Sequence, residues 1–190
     1  EYLESYLKLQ YPLDWHVELR EHAKERGLQY ACTAYIPGDP TLLAPFGDYL
    51  KVSSFEAEDI PLIMEAARAH PRTRPYGVIV SLGMAAEQCG RCAPMYLHCA
   101  SSYPAPLTAL NLNAIWTTRN DHFAGFSDHS HDGWVGAWAV AAGAEILETH
   151  FRLDDCDPAN KDYAVAFTPA EFKEYVTNVR DCEAAVGDGH

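Results

Sequence analysis

Apolar positions along the chain fall into short runs that alternate between a helical period and unbroken, strand-like stretches. "LDWHVELREHAKERG" reads as a helix, and Gly27 suits its C-terminal cap. "LQYACTAY" is a brief apolar run, followed by the Pro/Gly loop "IPGDP". "DYLKVSS" predicts a strand and "EDIPLIMEAARAH" a helix with Pro61 in its first turn. "YGVIVSLG" is the clearest buried strand, with β-branched residues between turn signals. "PMYLHCA" and "HFAGFSD" add two more strands, "GWVGAWAVAAG" a closely packing small-residue helix, and "AEILETHF" a further strand. "TPAEFKEYVTNVRDCEAAVG" predicts a helix. Thr168 and Glu171 have capping-box spacing, Pro169 takes the first helical position, and Phe172, Val176, Val179 and Val186 share an apolar face.

Repeated strand–helix units whose strands are near-continuously apolar indicate a parallel sheet covered by helices. Two architectures fit: an open doubly wound sheet and a (β/α)8 TIM-type barrel. No Rossmann fingerprint or P-loop follows any strand. Polar residues collect instead at the C-terminal ends of successive strands: Thr33, Lys51 and Ser54, Ser81, His98 and Ser101, Ser127 to His129, then Glu148 and His150. A barrel brings all those ends to one mouth, where barrel enzymes hold their active sites; an open sheet would spread them along an edge. The α/β barrel is therefore the expected fold. Only about six strands are evident against the eight of a closed barrel, and little room for a helix lies between Ser81 and Cys99. The expectation is a partial barrel, residues 1–190 forming one domain.

Composition narrows the partners. Fourteen basic against 27 acidic residues give a net charge of −13, which disfavours nucleic acid and anionic membranes because no basic stripe is available for phosphates. No apolar run approaches the ~20 residues of a membrane span. "EYLESYLKLQ" is acidic and amphipathic, unlike a signal peptide. Six scattered cysteines read as reduced thiols, so a cytoplasmic location is expected. Cys89 and Cys92 have C-x-x-C spacing, but no second ligand pair accompanies them, and they are read as ordinary thiols.

The strand ends carry the candidate chemistry. His129 and His150 end the last two strands and would be adjacent around a barrel mouth. Neutral imidazoles suit Mn, Zn, Fe or Co, and two histidines leave coordination positions open for water and substrate. Asp128 or Glu148 could orient such a ligand. His122 and His131 read as surface residues and His98 as buried and polar. Lys51 is a compact cation for a phosphate or carboxylate, with Ser54, Ser81, Ser101 and Ser127 as hydroxyl donors to the same anion. Glu56 is either a general base or an exposed charge favoured at the start of the following helix. Tyr103, in "SSYPAP", reads on its own as a turn anchor.

The segments "LKVSSFE", "VIVSLGMA", "LHCASSYPAPLTALNLNAI", "GFSDHS", "GAEILETHF" and "TPAEFKEYV" occur in the order and style of the sialic acid synthase (N-acetylneuraminate synthase) family, which the chain resembles from about Leu13 to Gly187. The resemblance implies a (β/α)8 barrel that condenses phosphoenolpyruvate with an N-acetylated amino sugar, giving a nine-carbon 2-keto-3-deoxy sugar acid and phosphate. It implies that His129 and His150 hold a divalent metal, Mn2+ first, with Mg2+ or Co2+ as alternatives. Lys51, Ser54, Thr33, Ser81, Ser101 and Ser127 would hold phosphoenolpyruvate, Ser101 standing where the family often has asparagine. Glu56, Tyr103, Glu148 and Phe151 fall at sugar-side positions, Glu56 also steering water as the catalytic residue. Asp162, in the rewritten "NKDY" loop, matches an aspartate of the family. The family's first two strands and its C-terminal antifreeze-like domain, which completes a partner's site in a homodimer, have no counterpart here. Three other readings stand beside it: a synthase for a related acid (legionaminate, pseudaminate or a spore-coat sugar), a non-catalytic remnant that binds sugar or a partner, and a metal-dependent hydrolase. The last is disfavoured because no H-x-H pair precedes Lys51.

Overall fold

The computed structural model describes residues 12–70, 77–83, 95–118 and 123–187. Within them, helix α1 (Trp15–Glu25) leads into strand β1 (Ala31–Ala34), α2 (Asp39–Leu43), β2 (Tyr49–Val52), α3 (Ile60–Ala69), β3 (Val78–Ser81) and β4 (Met95–Cys99). A 3-10 turn (Leu107–Ala109) and α4 (Asn113–Thr118) precede β5 (Phe123–Asp128), α5 (Val135–Ala141), β6 (Ile146–Thr149) and α6 (Pro169–Val186). All neighbouring strands pair in parallel, in the order β1-β2-β3-β4-β5-β6. A doubly wound sheet would reverse its strand order at a switch point; this one never does.

Curvature is measurable from one contact. β2 and β6 are separated by three strands, so in a flat sheet they would lie about 19 Å apart at ~4.8 Å per step. Yet Lys51 on β2 and Glu148 on β6 meet at 3.0 Å. The sheet is therefore curled into an arc of a (β/α)8 barrel, with one concave and one convex face.

Alternation along each strand sorts residues between those faces. On the convex side Leu50, Val52, Val78, Val80 and Tyr96 bury against Leu62, Ile63 and Ala66 of α3, and Phe126 packs with Ile115, Val135 and Ala139. Fully burying one such aliphatic side chain stabilises by about 1.5–3 kcal/mol. On the concave side Ile79, Met95 and Leu97 form a floor flanked by Tyr49 and Ile146. One turn further along lie the polar strand ends. Gly125 sits opposite Ile146 in the β5–β6 register, where a Cβ would collide with the Ile146 carbonyl; close approach of these two strands requires glycine.

The helix boundaries follow from local chemistry. Gly27, at φ +71°, closes α1 in the left-handed region. The Asp59 carboxylate accepts from Leu62 N at the start of α3, with Pro61 in the first turn. Thr168 and Glu171 form the expected reciprocal capping box of α6.

Three features depart from the sequence expectations. Asp39 and Pro40 of the expected "IPGDP" loop open α2, because the Asp39 carboxylate accepts from Tyr35 N and Ile36 N and folds the loop onto the helix start. The segment after Tyr103 holds the 3-10 turn and α4, which no periodicity signalled. The buried stripe of α6 runs through Tyr175 and Asn178, leaving Val176 and Val186 exposed. The cause is α5, whose small residues receive the large Tyr175 ring; a Cβ on Gly136 would strike it. Cys89, Cys92, His122 and the "EYLESYLKLQ" segment lie outside the described residues. Among those residues no helix is long and apolar enough to cross a membrane.

Candidate active site

Strand register brings the polar ends together. Thr33 on β1 lies opposite Lys51 on β2, Cys99 on β4 opposite Ser127 on β5, and Ser127 opposite Glu148 on β6. Lys51 Nζ donates to Glu148 Oε1 at 3.1 Å, and Ser127 Oγ donates to the same oxygen at 2.6 Å. Burial alone would raise the Glu148 carboxyl, but the Lys51 ammonium and the Ser127 hydroxyl outweigh it and hold the group below its ordinary 4.5. A cation–anion pair thus occupies the floor of the mouth.

Beside the pair lie hydroxyls without partners. Ser81 is 2% exposed, and Ser81 Oγ and Ser101 Oγ are both buried with no hydrogen-bond partner among the described residues. Burying a hydroxyl unsatisfied costs about 1–3 kcal/mol, which points to a bound acceptor when the site is filled. Gly83 keeps this recess open, since a Cβ there would collide with Ser101 Oγ. Lys51, Ser81 and Ser101 thus bring one cation and two buried hydroxyls to the strand-end side of the sheet. Ser54 is buried just past β2, and neither it nor Thr33 makes a side-chain hydrogen bond within this cluster. Glu56 lies in the turn that leads to α3, where its carboxylate accepts from the Ser53 hydroxyl.

The two histidines meet as expected. The His129 and His150 ring centres are 5.2 Å apart. Metal–imidazole bonds of ~2.1 Å put two adjacent imidazole centres about 5 Å apart, so the spacing fits a shared ion. Burial first, aided by the neighbouring His150, lowers the His129 pKa, keeping the imidazole neutral as metal binding requires. His129 Nδ1 lies 3.3 Å from Ala100 O. Donation there fixes the tautomer and leaves the Nε2 lone pair on the side of Tyr103, whose hydroxyl reaches it at 2.9 Å. His150 Nδ1 lies 3.6 Å from Asp162 Oδ2, the carboxylate–imidazole arrangement that orients metal-bound histidines. Among the described residues no group of three or more His, Cys, Asp or Glu is arranged to hold a metal ion. The donor set therefore fits an ion with most of its coordination open to water and substrate.

Tyr103 is more than a turn anchor. It packs against both imidazoles, 4.2 Å from the His129 ring centre and 5.8 Å from that of His150, and burial pushes its hydroxyl up to about 12. Cys99 was not expected here. Its thiol, raised by burial, lies 3.5 Å from His129 Nδ1. The hydrophobic run of β4 offered no signal for that contact.

The loop between β6 and α6 forms one wall. Phe151 bridges to Phe167, Phe167 N donates to His150 O at 2.9 Å, and the Arg152 guanidinium lies 4.1 Å over the Tyr163 ring. Phe151 is exposed on that wall, and Asp162 is exposed beside His150. His131 is partly buried rather than fully surface: Nδ1 meets Ala164 O at 3.1 Å and Nε2 lies 3.5 Å from Glu171 Oε2. His98 is partly buried and bonds Leu110 O, as its polar reading required.

Behind the histidines, Asp128 is fully buried on the convex face. Its Oδ1 accepts from Ser130 N at 2.8 Å and Ser130 Oγ at 2.7 Å, and Oδ2 from Tyr175 OH at 3.2 Å.

The model of the NeuB family matches residues 1–190. The chain is 30% identical to the N,N'-diacetyllegionaminic acid synthase of Campylobacter jejuni over 98% of its own length and 59% of that enzyme's. It is also 30% identical to a pseudaminic acid synthase of the same species, covering 98% of this chain and 57% of that one. It thus spans less than two thirds of these relatives. Among solved structures, an N-acetylneuraminic acid (sialic acid) synthetase from Leptospira borgpetersenii, in complex with citrate, superposes with a TM-score of 0.82 at 27% identity, over 95% of this chain and 66% of that chain. A truncated 3-deoxy-D-arabino-heptulosonate 7-phosphate synthase from Thermotoga maritima shares the fold, with a TM-score of 0.73 at 17% identity, covering 93% of this chain and 74% of that chain.

Proposed function

We propose, from the premise that this chain belongs to the NeuB family, that it condenses phosphoenolpyruvate with an N-acetylated amino sugar to form a nine-carbon 2-keto-3-deoxy sugar acid and phosphate. One observation supports the reading: the Lys51 ammonium and the buried Ser81 and Ser101 hydroxyls, without a hydrogen-bond partner among the described residues, stand at strand ends of the same sheet as the paired imidazoles of His129 and His150.

In this reading Lys51, Ser54, Thr33, Ser81, Ser101 and Ser127 take the phosphate and carboxylate oxygens of phosphoenolpyruvate. His129 and His150 would hold a divalent ion, Mn2+ in the first place, which when bound supplies Lewis-acid polarisation of the sugar aldehyde. Tyr103, Glu148, Phe151 and Asp162 face the sugar. Carbon 3 of phosphoenolpyruvate forms the new bond to the aldehyde carbon, and water adds at carbon 2 before phosphate departs. Glu56 is assigned as the base that takes the proton of that water. The Ser53 hydroxyl donates to its carboxylate. Lys51, placed in advance, stabilises the charge that develops on the departing phosphate without reorganising.

The test is phosphate release from phosphoenolpyruvate with Mn2+, with and without N-acetylmannosamine or a 2,4-diacetamido sugar, followed by product mass. Sugar-dependent release with a product heavier by the three-carbon unit supports the reading and identifies the acceptor. No sugar-dependent release from folded, Mn2+-loaded protein would refute synthase activity for this chain. Within an active enzyme, His150→Ala should abolish metal-dependent turnover, whereas Lys51→Ala should chiefly raise KM for phosphoenolpyruvate.

A further inference from the structure

We infer that α6 is the element that sets the position of the paired histidines, and that Tyr175 is its positioning residue, acting on His129 through Asp128. This rests on the metal-binding reading of His129 and His150.

Strand alternation places Ser127 and His129 toward the mouth and sends the intervening Asp128 into the helix layer. A fully buried carboxylate there is costly unless its lone pairs are met. Ser130 supplies two donors and folds the turn that carries His129; Tyr175 supplies the third from across α5. The main chain is pinned at the same point: Thr149 Oγ1 donates to Asp128 O at 3.3 Å, and Ala105 N donates to His129 O at 2.8 Å.

Tyr175 reaches Asp128 only because residue 136 is glycine. Any side chain there would occupy the path of the phenol. The opening at Gly136 admits the whole Tyr175 ring and with it the hydroxyl that reaches Asp128. The segment that enters α6 ties down the other histidine. Phe167, directly before the capping residue Thr168, donates its N–H to His150 O, and Glu171 of the capping box pairs with His131, two residues past His129. One helix therefore grips both strand ends from behind, without a side chain in the mouth.

Groups that orient metal ligands from outside are worth roughly 10–100-fold in metal affinity. Tyr175→Phe keeps the ring, its packing on Phe167 and its fit to Gly136, and deletes only the hydroxyl. Asn178→Ala is the control. It breaks another α6 tether, Asn178 Nδ2 to Gly133 O at 3.0 Å, that does not reach either histidine.

The measurement is Mn2+ titration by calorimetry and by loss of the free-ion EPR signal, on wild type, Tyr175→Phe and Asn178→Ala, with inorganic phosphate binding and thermal midpoint recorded in parallel. The expected result is Mn2+ affinity reduced about tenfold in Tyr175→Phe and unchanged in Asn178→Ala, with phosphate affinity the same in all three. Wild-type affinity in Tyr175→Phe would overturn the inference while leaving the histidine pair as a metal site. Equal weakening in both variants would also overturn it, by showing general support from the helix. No Mn2+ binding by folded wild type would remove the metal reading and the inference together.

Discussion

Replacing Glu148 by glutamine should cost the fold more than replacing Lys51 by methionine, although both changes break the same ion pair. The Lys51 side chain is 10% exposed and that of Glu148 39% exposed. Removing one member of a buried pair costs about 3–5 kcal/mol because the other charge is stranded; in an exposed pair the figure is about 0–1 kcal/mol. Glu148→Gln strands an ammonium that water barely reaches, so about 2–3 kcal/mol is expected after discounting for the partial exposure of the pair. Lys51→Met leaves a carboxylate that is partly hydrated and still accepts from Ser127, for about 1 kcal/mol. The double variant should recover about 1–2 kcal/mol of the sum. Urea unfolding at pH 7 measures all four corners of the cycle.

The pH dependence has a definite sign. Glu148 titrates below its ordinary 4.5 in the folded chain, so its contribution is complete above that value and is lost as pH falls through the folded pKa. The gap between wild type and Glu148→Gln should therefore close in acid. Binding should move the opposite way from stability: Glu148→Gln releases Lys51 and tightens inorganic phosphate several-fold, while Lys51→Met weakens it. Equal destabilisation by the two single variants, or strict additivity in the double, would refute the asymmetric burial on which the reasoning depends.

Two further outcomes follow from local geometry. Gly125→Ala places a methyl against the Ile146 carbonyl within the β5–β6 ladder and should cost about 3 kcal/mol or more; a wild-type urea midpoint would show that these strands separate easily. Burial pushes the Cys32 thiol up to about 11 and raises Cys99 as well, whereas Cys156 is partly exposed. Iodoacetamide at pH 8 should therefore label Cys156 in the native protein well before Cys32 or Cys99, and all three once urea is added. Peptide mapping that finds Cys32 labelled as fast as Cys156 would contradict that burial.

The strands were legible in the sequence because each is a four- to six-residue apolar run between turn signals, as a sheet covered on its convex face demands. Given the barrel, the strand ends had to converge, so the meeting of His129 with His150 and of Lys51 with the serines could be expected. The pairing of Lys51 with Glu148 could not, because 97 residues separate them and only the curl of the sheet joins them. Nor could the stripe on α6. Helical period alone marks Val176 and Val186 as inward, and the glycine of another helix decides for Tyr175. The Pro/Gly signal at Asp39 reads as a loop because proline at the start of a short helix and proline in a loop look alike without the carboxylate's backbone contacts.

The strand order has a consequence for how the chain reaches this shape. Among the described residues, strands pair only with their immediate neighbours in chain order. Each parallel pair therefore closes a loop of comparable size, 16 to 28 residues from partner to partner, and the loop entropy is similar from step to step. The arc can grow by accretion, each new strand docking on a finished edge as it leaves the ribosome. The Lys51–Glu148 bridge is the exception: it joins residues 97 apart in the chain and waits until β6 has docked.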